Sequence, residues 1–487
     1  MLCLVTGATG YLGGRLVPRL LAAGHRVRCL VRDPRKLRDV PWVDRVEVVR
    51  GDVLDPASLD AAVRDVDVVH YLVHSLSDPD FADADRRAAE NTARAAAAAG
   101  VRRIVYLGGL HPPGVALSPH LASRKQVGDV FLSGAVPAVV LQAAVIIGSG
   151  SASFEMLRYL TERLPVMVTP RWVHNRIQPI AVRDVLRYLV EAVRLPDDVN
   201  RAFDIGGPDV LTYLDMMLRY ARVAGLRRRR VLPVPLLTPR LSAHWVNLVT
   251  PVPRSIASPL IESLVHEVVC REHDIEVLLP GRTTGYDQAV ALALAKVRDA
   301  EVETRWSGAS VPGAPADPLP TDPDWSGGSS YVDVRERRTA ASPQRLWQVV
   351  EGIGGEHGWY SFPLAWAVRG WLDRLVGGVG LRRGRRDPVR LHVGEALDFW
   401  RVEEVDRGRL LRLRAEMRVP GLAWLELRVA PAEGGGSVYR QRAVFVPRGL
   451  AGHVYWWVVW PFHGIVFGGM ARNIACEAEL TSEFRKS

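Results

Sequence analysis

Lysine is scarce in this chain of 487 residues: it stands only at Lys36, Lys125, Lys296 and Lys486, and arginine carries the rest of the positive side of a net charge of +10. Cysteine is as thin. Cys3, Cys29, Cys270 and Cys476 lie far apart, with neither metal-ligand spacing nor a paired framework, which excludes a disulfide-stapled scaffold and suits a reducing compartment, the cytoplasm. Apolar residues begin at Leu2 with no charged segment ahead of a signal core, so a secreted fate is not expected. Internal repeats are missing too. The two dense arginine clusters, Arg227 to Arg230 and Arg382 to Arg386, are not interleaved with aromatics; they read as solvated surface, and neither a nucleic-acid partner nor a metal is expected. What remains is a globular composition, 48% hydrophobic, long enough for about three domains.

The most informative stretch comes first. Leu2-Cys3-Leu4-Val5 runs directly into Thr6-Gly7-Ala8-Thr9-Gly10-Tyr11-Leu12-Gly13, a strand followed by a glycine-rich turn and a helix. Gly7 permits the tight turn, Gly10 lets backbone approach a pyrophosphate, and Gly13 lets the helix lie close to the strand. The helix N-terminus adds free N–H groups and a positive dipole end, so the segment predicts a dinucleotide site. Gly24 closes this helix.

From residue 1 to about 150, short Val/Ile/Leu runs alternate with helical stretches, the pattern of a parallel sheet covered on both faces. Expected strands are Leu2 to Val5, Val27 to Val31, Val46 to Val49, Val66 to Leu72, Ile104 to Leu107 and Ala138 to Ile147, with an alanine-rich helix from Ala88 to Ala99 stopped by Gly100. Residues 150 to 300 read as a small lobe, with a proline-rich middle from Leu232 to Pro259. The prolines and glycines between Trp306 and Ser330 predict a linker over 301–330. Beyond it, strand, helix, alternating strands and a final long helix describe an α+β helix-grip arrangement over 331–487.

Over residues 1 to 300 the opening motif resembles the short-chain dehydrogenase/reductases, in the atypical NAD(P)-binding branch with NmrA-like regulators and the accessory subunit of complex I. Leu30-Val31-Arg32-Asp33-Pro34, Gly51-Asp52-Val53 and Gln178-Pro179-Ile180 carry the same resemblance. It implies a doubly wound Rossmann sheet with a small α/β lobe. It also implies that Asp52 hydrogen-bonds the adenine amino group beside Val53, and that the segment from Tyr71 through Leu72 to His74 lines the cofactor. Arg32, at the end of the second strand, attracts a 2′-phosphate and favours NADP; a shift of one residue would put Asp33 there and favour NAD.

The family's proton donor is a tyrosine with a lysine four residues later, and no tyrosine here has that partner. The corresponding stretch, His120-Leu121-Ala122-Ser123-Arg124-Lys125, allows two frames, His120 with Arg124 or Leu121 with Lys125. His120 is a candidate acid with an ordinary pKa of about 6.5, Arg124 a candidate for aligning an anionic intermediate, and Lys125 for holding the nicotinamide ribose. The usual serine is also missing, because Leu107 is followed by Gly108-Gly109.

Residues 331–487 resemble the START-like (polyketide cyclase-like) superfamily through Gly394 to Trp400, Pro420 to Leu425 and a tryptophan-rich ending. That resemblance implies an apolar cavity for a hydrophobic small molecule. Gly449 to Ala471 carries no Asp, Glu, Lys or Arg and is long enough to span a membrane, but Pro461, His463 and several glycines favour burial, with peripheral membrane contact as the alternative. Three functions stay open: an NADPH-dependent oxidoreductase on a quinone, polyketide or lipid; a non-catalytic NADP(H)-sensing regulator or assembly factor with a protein partner or second copy; and a membrane-associated scaffold.

Overall fold

The computed structural model describes residues 1–38, 40–74, 81–233, 250, 252–300, 330–354, 358–360, 390–417 and 419–483. Contacts divide the chain into two compact units, Met1–Gly328 and Ser329–Ser487. The expected linker (but for Ser330), the Arg382 to Arg386 cluster and most of the proline-rich middle lie outside the described residues.

In the first unit, β1 (Leu2–Thr6), α1 (Tyr11–Ala22), β2 (Arg26–Val31), β3 (Glu47–Arg50), α2 (Pro56–Ala62) and β4 (Val68–Tyr71) are followed by α3 (Phe81–Ala98), β5 (Arg103–Gly109), α4 (Pro119–Leu132) and β6 (Ala138–Ala143). A further strand, Arg201–Ile205, completes a seven-stranded sheet in the order Arg201–Ile205, β6, β5, β4, β1, β2, β3. All neighbours run parallel. The expected doubly wound α/β fold is therefore present. Alternate side chains of each central strand feed two cores. Cys3, Val5, Val68 and Val105 pack with Leu16, Leu20, Val185 and Leu189 on one face. Leu2, Leu4, Val69 and Tyr71 pack with Ala89, Ala96 and Phe131 on the other. Burial on both faces explains why these strands read as near-continuous apolar runs.

Three details differ from expectation. The alanine-rich helix begins earlier, at Phe81, and ends where Gly100 takes φ +69°. The strand expected to run to Ile147 stops at Ala143; Ile146–Ile147 pairs instead with Ile180–Ala181. The strand Arg201–Ile205 was not expected at all, because among the described residues it pairs only with β6, and it carries an edge strand's mixed polarity, Arg-Ala-Phe-Asp-Ile. In the lobe, Arg229 is not solvated surface: it is buried, and its Nε–H donates to the Thr161 carbonyl at 2.8 Å.

His70 on β4 is fully buried; its Nε2–H donates to the Leu189 carbonyl at 3.0 Å, and burial pushes its pKa down to about 4. The unfolded chain takes up this proton near pH 6.5 and the folded chain only near 4, so stability is complete above 6.5 and falls as pH drops through that window. We expect a loss of about 3 kcal/mol between pH 6.5 and 4 from this one group. Urea unfolding at both pH values checks it; His70→Gln, which keeps a donor but cannot titrate, is expected to flatten the dependence.

The second unit carries a six-stranded antiparallel sheet in the order Tyr331–Thr339, Ser437–Pro447, Gly421–Pro431, Leu410–Ala415, Trp400–Asp406, Ala396–Leu397. The helix Pro343–Glu351, capped by Ser342 with proline at its first position, and the long helix Gly449–Glu483 pack against it. Leu411, Leu413, Leu425, Leu427 and Tyr439 alternate onto the face that meets Phe467, Met470, Ala471 and Ile474 of the long helix. That helix is buried on one side only. Trp457, Val458, Trp460, Phe462 and Ile465 are exposed, Phe462 to 66%. Among the described residues no helix is long and apolar enough to cross a membrane.

Candidate functional site

The sheet reverses its strand order between β1 and β4, which opens a crevice at the carboxyl ends of those two strands. The segment Gly7 to Gly10 leaves β1 there. Gly7 has φ +75°, and a Cβ on it would stand 2.8 Å from the Leu72 carbonyl oxygen that follows β4. A Cβ on Gly13 would be driven into the Gly7 carbonyl, with the Ala8 Cα at 2.9 Å. Gly10 has only the Gly7 oxygen near its Cβ position, at 3.2 Å, so packing barely constrains it. Its extended backbone caps α1 without a side-chain acceptor, so the first turn, Leu12 included, turns its N-terminal end toward an outside anion. Ala8 is buried and Thr9 half-buried beneath them. Thr6 fastens the two strand ends: its hydroxyl donates to the His70 carbonyl and accepts from the Leu72 N–H, both at 3.3 Å.

At the end of β2 the two candidate residues part ways. Asp33 caps the short turn after it, accepting from the Arg35 N–H at 3.1 Å and from both arms of the Arg35 guanidinium at 2.9 and 3.0 Å, and this partner holds its carboxyl below the usual range. Arg32 is exposed, with no polar partner among the described residues. Asp52, after β3, accepts from the Leu54 N–H at 3.0 Å through Oδ1, which leaves Oδ2 for another donor, and Val53 is buried beside it. Tyr71, by contrast, turns into the core, edge-on to Phe131 at 5.0 Å. Leu72, Val73 and His74 are half-buried, and Leu72 and Val73 lie against Gly7.

Of the two frames on α4, the structure brings one together. His120 and Arg124 face inward. His120 stands 5.3 Å from His74, ring to ring, and the Arg124 guanidinium donates to the Leu107 carbonyl at the end of β5. Leu121 is buried under Gly109, where an added Cβ would meet it at 3.0 Å, so this leucine and Arg124 fill the place of the missing serine. Lys125 pairs with Asp129 one turn along the exposed face of α4, at 2.6 Å. Lys125 thus stands on the exposed face of α4 and not beside His120 and Arg124.

His120 differs from expectation too. Burial, aided by Arg124 and His74, pushes its pKa down to about 2, so it is neutral at pH 7 and cannot serve as a cationic acid. Its neighbours were not foreseen. Asp85 on α3 accepts from His74 Nδ1–H at 2.7 Å and from the Ser123 hydroxyl at 3.4 Å, and Ser263, from the helix Arg254–Ser263, lies 3.0 Å from His120 Nδ1. These pairs are separated by 11, 38 and 143 residues, and a single sequence carries no signal for them.

Gln178-Pro179-Ile180 has a structural purpose. The Gln178 amide donates to the Gly207 carbonyl at 2.8 Å and accepts from the Cys270 N–H at 3.0 Å, tying three segments of the lobe.

Residues 7–131 match the family described as NAD(P)H-binding. Over 243 residues the chain is 32% identical to ceramide reductase of Caulobacter vibrioides, covering 47% of this chain and 73% of that protein. The chain belongs to the NAD(P)H-binding, NmrA-like reductase family. A second relative, the (4-alkanoyl-5-oxo-2,5-dihydrofuran-3-yl)methyl phosphate reductase of Streptomyces griseus, is 30% identical over 46% of this chain and 73% of its own length. The mouse mitochondrial NADH dehydrogenase [ubiquinone] 1 alpha subcomplex subunit 9 is 28% identical over 50% of this chain and 65% of that protein. Residues 325–470 match a protein family of unknown function, DUF2867. As a member of the NAD(P)H-binding family the chain binds NAD(P)H, and the glycine cradle fits that group, since Gly7 and Gly13 admit no side chain where the turn must close.

Proposed function

We propose that this protein is an NADP(H)-dependent oxidoreductase acting on a hydrophobic, lipid-like substrate. The observation that carries this reading is the cluster of His74, His120 and Arg124 at the crevice framed by Gly7 and Leu72. Bound nucleotide supplies a hydride donor or acceptor there. The chain's own residues supply the rest: backbone N–H groups of the first turn of α1 hold phosphate, Asp52 Oδ2 accepts from the adenine amino group, and Arg124 places positive charge near the reacting oxygen. The lipid class is supported by the relative whose name is ceramide reductase. It is supported further by the second unit, where a long helix packs on an antiparallel sheet, an arrangement compatible with the START-like carrier expected there. A washed membrane fraction is where the exposed aromatic face of that helix would place the protein if it also touches lipid surfaces.

Preference for the 2′-phosphate follows from Arg32 standing exposed while Asp33 is spent on Arg35. A bidentate guanidinium–phosphate contact contributes about 1.5–3 kcal/mol. Isothermal titration should give NADPH tighter than NADH by about 10- to 100-fold, and Arg32→Glu should erase that gap with little change in NADH affinity. Tighter NADH binding by the unaltered chain overturns the assignment. A non-catalytic NADP(H) sensor is the second reading, favoured by the missing tyrosine and by Gly108-Gly109 in place of the serine; it predicts cofactor binding without turnover across quinones, ketones and alcohols.

A further inference from the structure

The hydrogens around the two imidazoles can be counted. Ser263 donates its one hydroxyl hydrogen to the Pro259 carbonyl at 2.8 Å, so its oxygen can only accept from His120 at 3.0 Å. The nitrogen facing it, Nδ1, must therefore carry the hydrogen. Ser118 fits the same count: its oxygen accepts from the Leu121 N–H and its hydrogen is free for Ser263, 3.0 Å away. On His74, Nδ1 faces the Asp85 carboxylate at 2.7 Å and must donate to it. A neutral imidazole has one N–H, so both rings carry a bare lone pair on Nε2. His74 Nε2 is buried and has no partner among the described residues. His120 makes its one hydrogen bond through Nδ1.

A buried acceptor left bare, as His74 Nε2 is, is unusual, because an unsatisfied buried polar atom costs about 1–3 kcal/mol. A protein that only packed these rings would turn one of them. We propose that His74, held and charge-compensated by Asp85, is the proton acceptor for a substrate hydroxyl, and that His120 receives a second donor of the same substrate, so that the site takes an alcohol bearing a neighbouring hydroxyl or amide N–H. This rests on the oxidoreductase reading and sets its direction. The alcohol O–H bond breaks and its proton goes to His74 Nε2. The C–H bond breaks with its electron pair, which leaves as hydride to the oxidised nicotinamide of NADP, and the carbon–oxygen double bond forms. His74 ends as an imidazolium paired with Asp85, the one anion facing it among the described residues. The other charged and titratable groups around it among the described residues are Arg124 and His120, both on α4.

Asp85 is the positioning residue, and His74 the catalytic one. Burial and Arg124 hold His74 below its ordinary pKa against the opposing pull of Asp85, and His120 lower still, so both are unprotonated near pH 7. The test begins without nucleotide. Long-range proton–nitrogen NMR of the full chain labelled at histidine should show both rings neutral with hydrogen on Nδ1 at pH 7, and Asp85→Asn should lower the pH at which His74 takes its second proton. With NADP, a panel of lipid-like amino alcohols and diols should then be oxidised. His74→Gln should lose about 10²- to 10⁴-fold in kcat with NADPH affinity unchanged by calorimetry, and His120→Ala should raise KM more than it lowers kcat. Hydrogen on Nε2 of either ring, or unimpaired turnover in His74→Gln, overturns the inference. If the unaltered chain oxidises no alcohol and reduces no carbonyl while the NMR result holds, the oxidoreductase reading falls, and the proton-acceptor assignment with it; turnover with the wrong tautomer overturns the inference alone.

Discussion

Gly13→Val is expected to abolish NADPH binding and to lower the melting temperature of the first unit. The β-carbon would occupy the space of the Gly7 carbonyl and press on the Ala8 Cα at 2.9 Å, and both are backbone atoms of the turn itself. A flexible side chain could swing away; a peptide group closing a turn with φ +75° cannot. The helix must lift off the strand, which costs about 1–3 kcal/mol in overpacking and pulls the first-turn N–H groups away from the phosphates. We expect affinity to fall by more than about 100-fold by calorimetric titration, since several charge-assisted bonds of about 1.5–3 kcal/mol each are misplaced together. Gly10→Glu separates the two effects. Its Cβ meets only one atom, at 3.2 Å, so the fold should survive while a carboxylate at the phosphate site prevents binding. A Gly13→Val protein that binds NADPH with native affinity would show that the nucleotide does not rest on this turn.

The same glycines explain why the nucleotide site was legible in the sequence. A turn that admits no β-carbon leaves a mark at fixed spacing, and a central strand buried on both faces leaves an uninterrupted apolar run, as in β1 and β5. The edge strand Arg201–Ile205 leaves neither mark, because one side of it has no neighbour among the described strands. Spacing alone could not choose between His120 with Arg124 and Leu121 with Lys125: a helix turns 100° per residue, and adjacent residues face different ways. Tertiary packing chose, burying Leu121 beneath Gly109 and sending Lys125 to Asp129. The histidine pair lay further out of reach. His74 and His120 come from segments 46 residues apart, and the tautomers depend on Asp85 and Ser263, which no local pattern connects to them.

Arg412→Met should destabilise the second unit by about 3–5 kcal/mol, although the side chain touches no ligand in the proposed scheme. Arg412 is 2% exposed, and its Nε–H and Nη2–H both donate to one oxygen of the equally buried Glu426, at 3.1 and 3.0 Å. Its Nη1–H reaches Glu404 at 2.7 Å. In the sheet register Glu404 stands opposite Arg412, Arg412 opposite Glu426, and Glu426 opposite Arg442, a row of alternating charge across four neighbouring strands. Removing Arg412 leaves a desolvated carboxylate with Arg442 at 3.4 Å and Arg428 at 3.8 Å as its remaining cations, so the loss should sit toward the lower end of the range. Arg412→Met with Glu426→Met removes both charges and should recover most of it, because the pair's mutual attraction roughly offsets the cost of taking both from water. Hydrogen exchange of the amides from Leu410 to Arg442 reads both variants. If the single and double replacements lose the same amount, the pair does not act as a unit. Alternation puts this row on the face opposite Leu411, Leu413, Leu425 and Leu427. The charges that fix the register of the sheet therefore stay off the apolar face shared with the long helix, the face a lipid-like ligand would need.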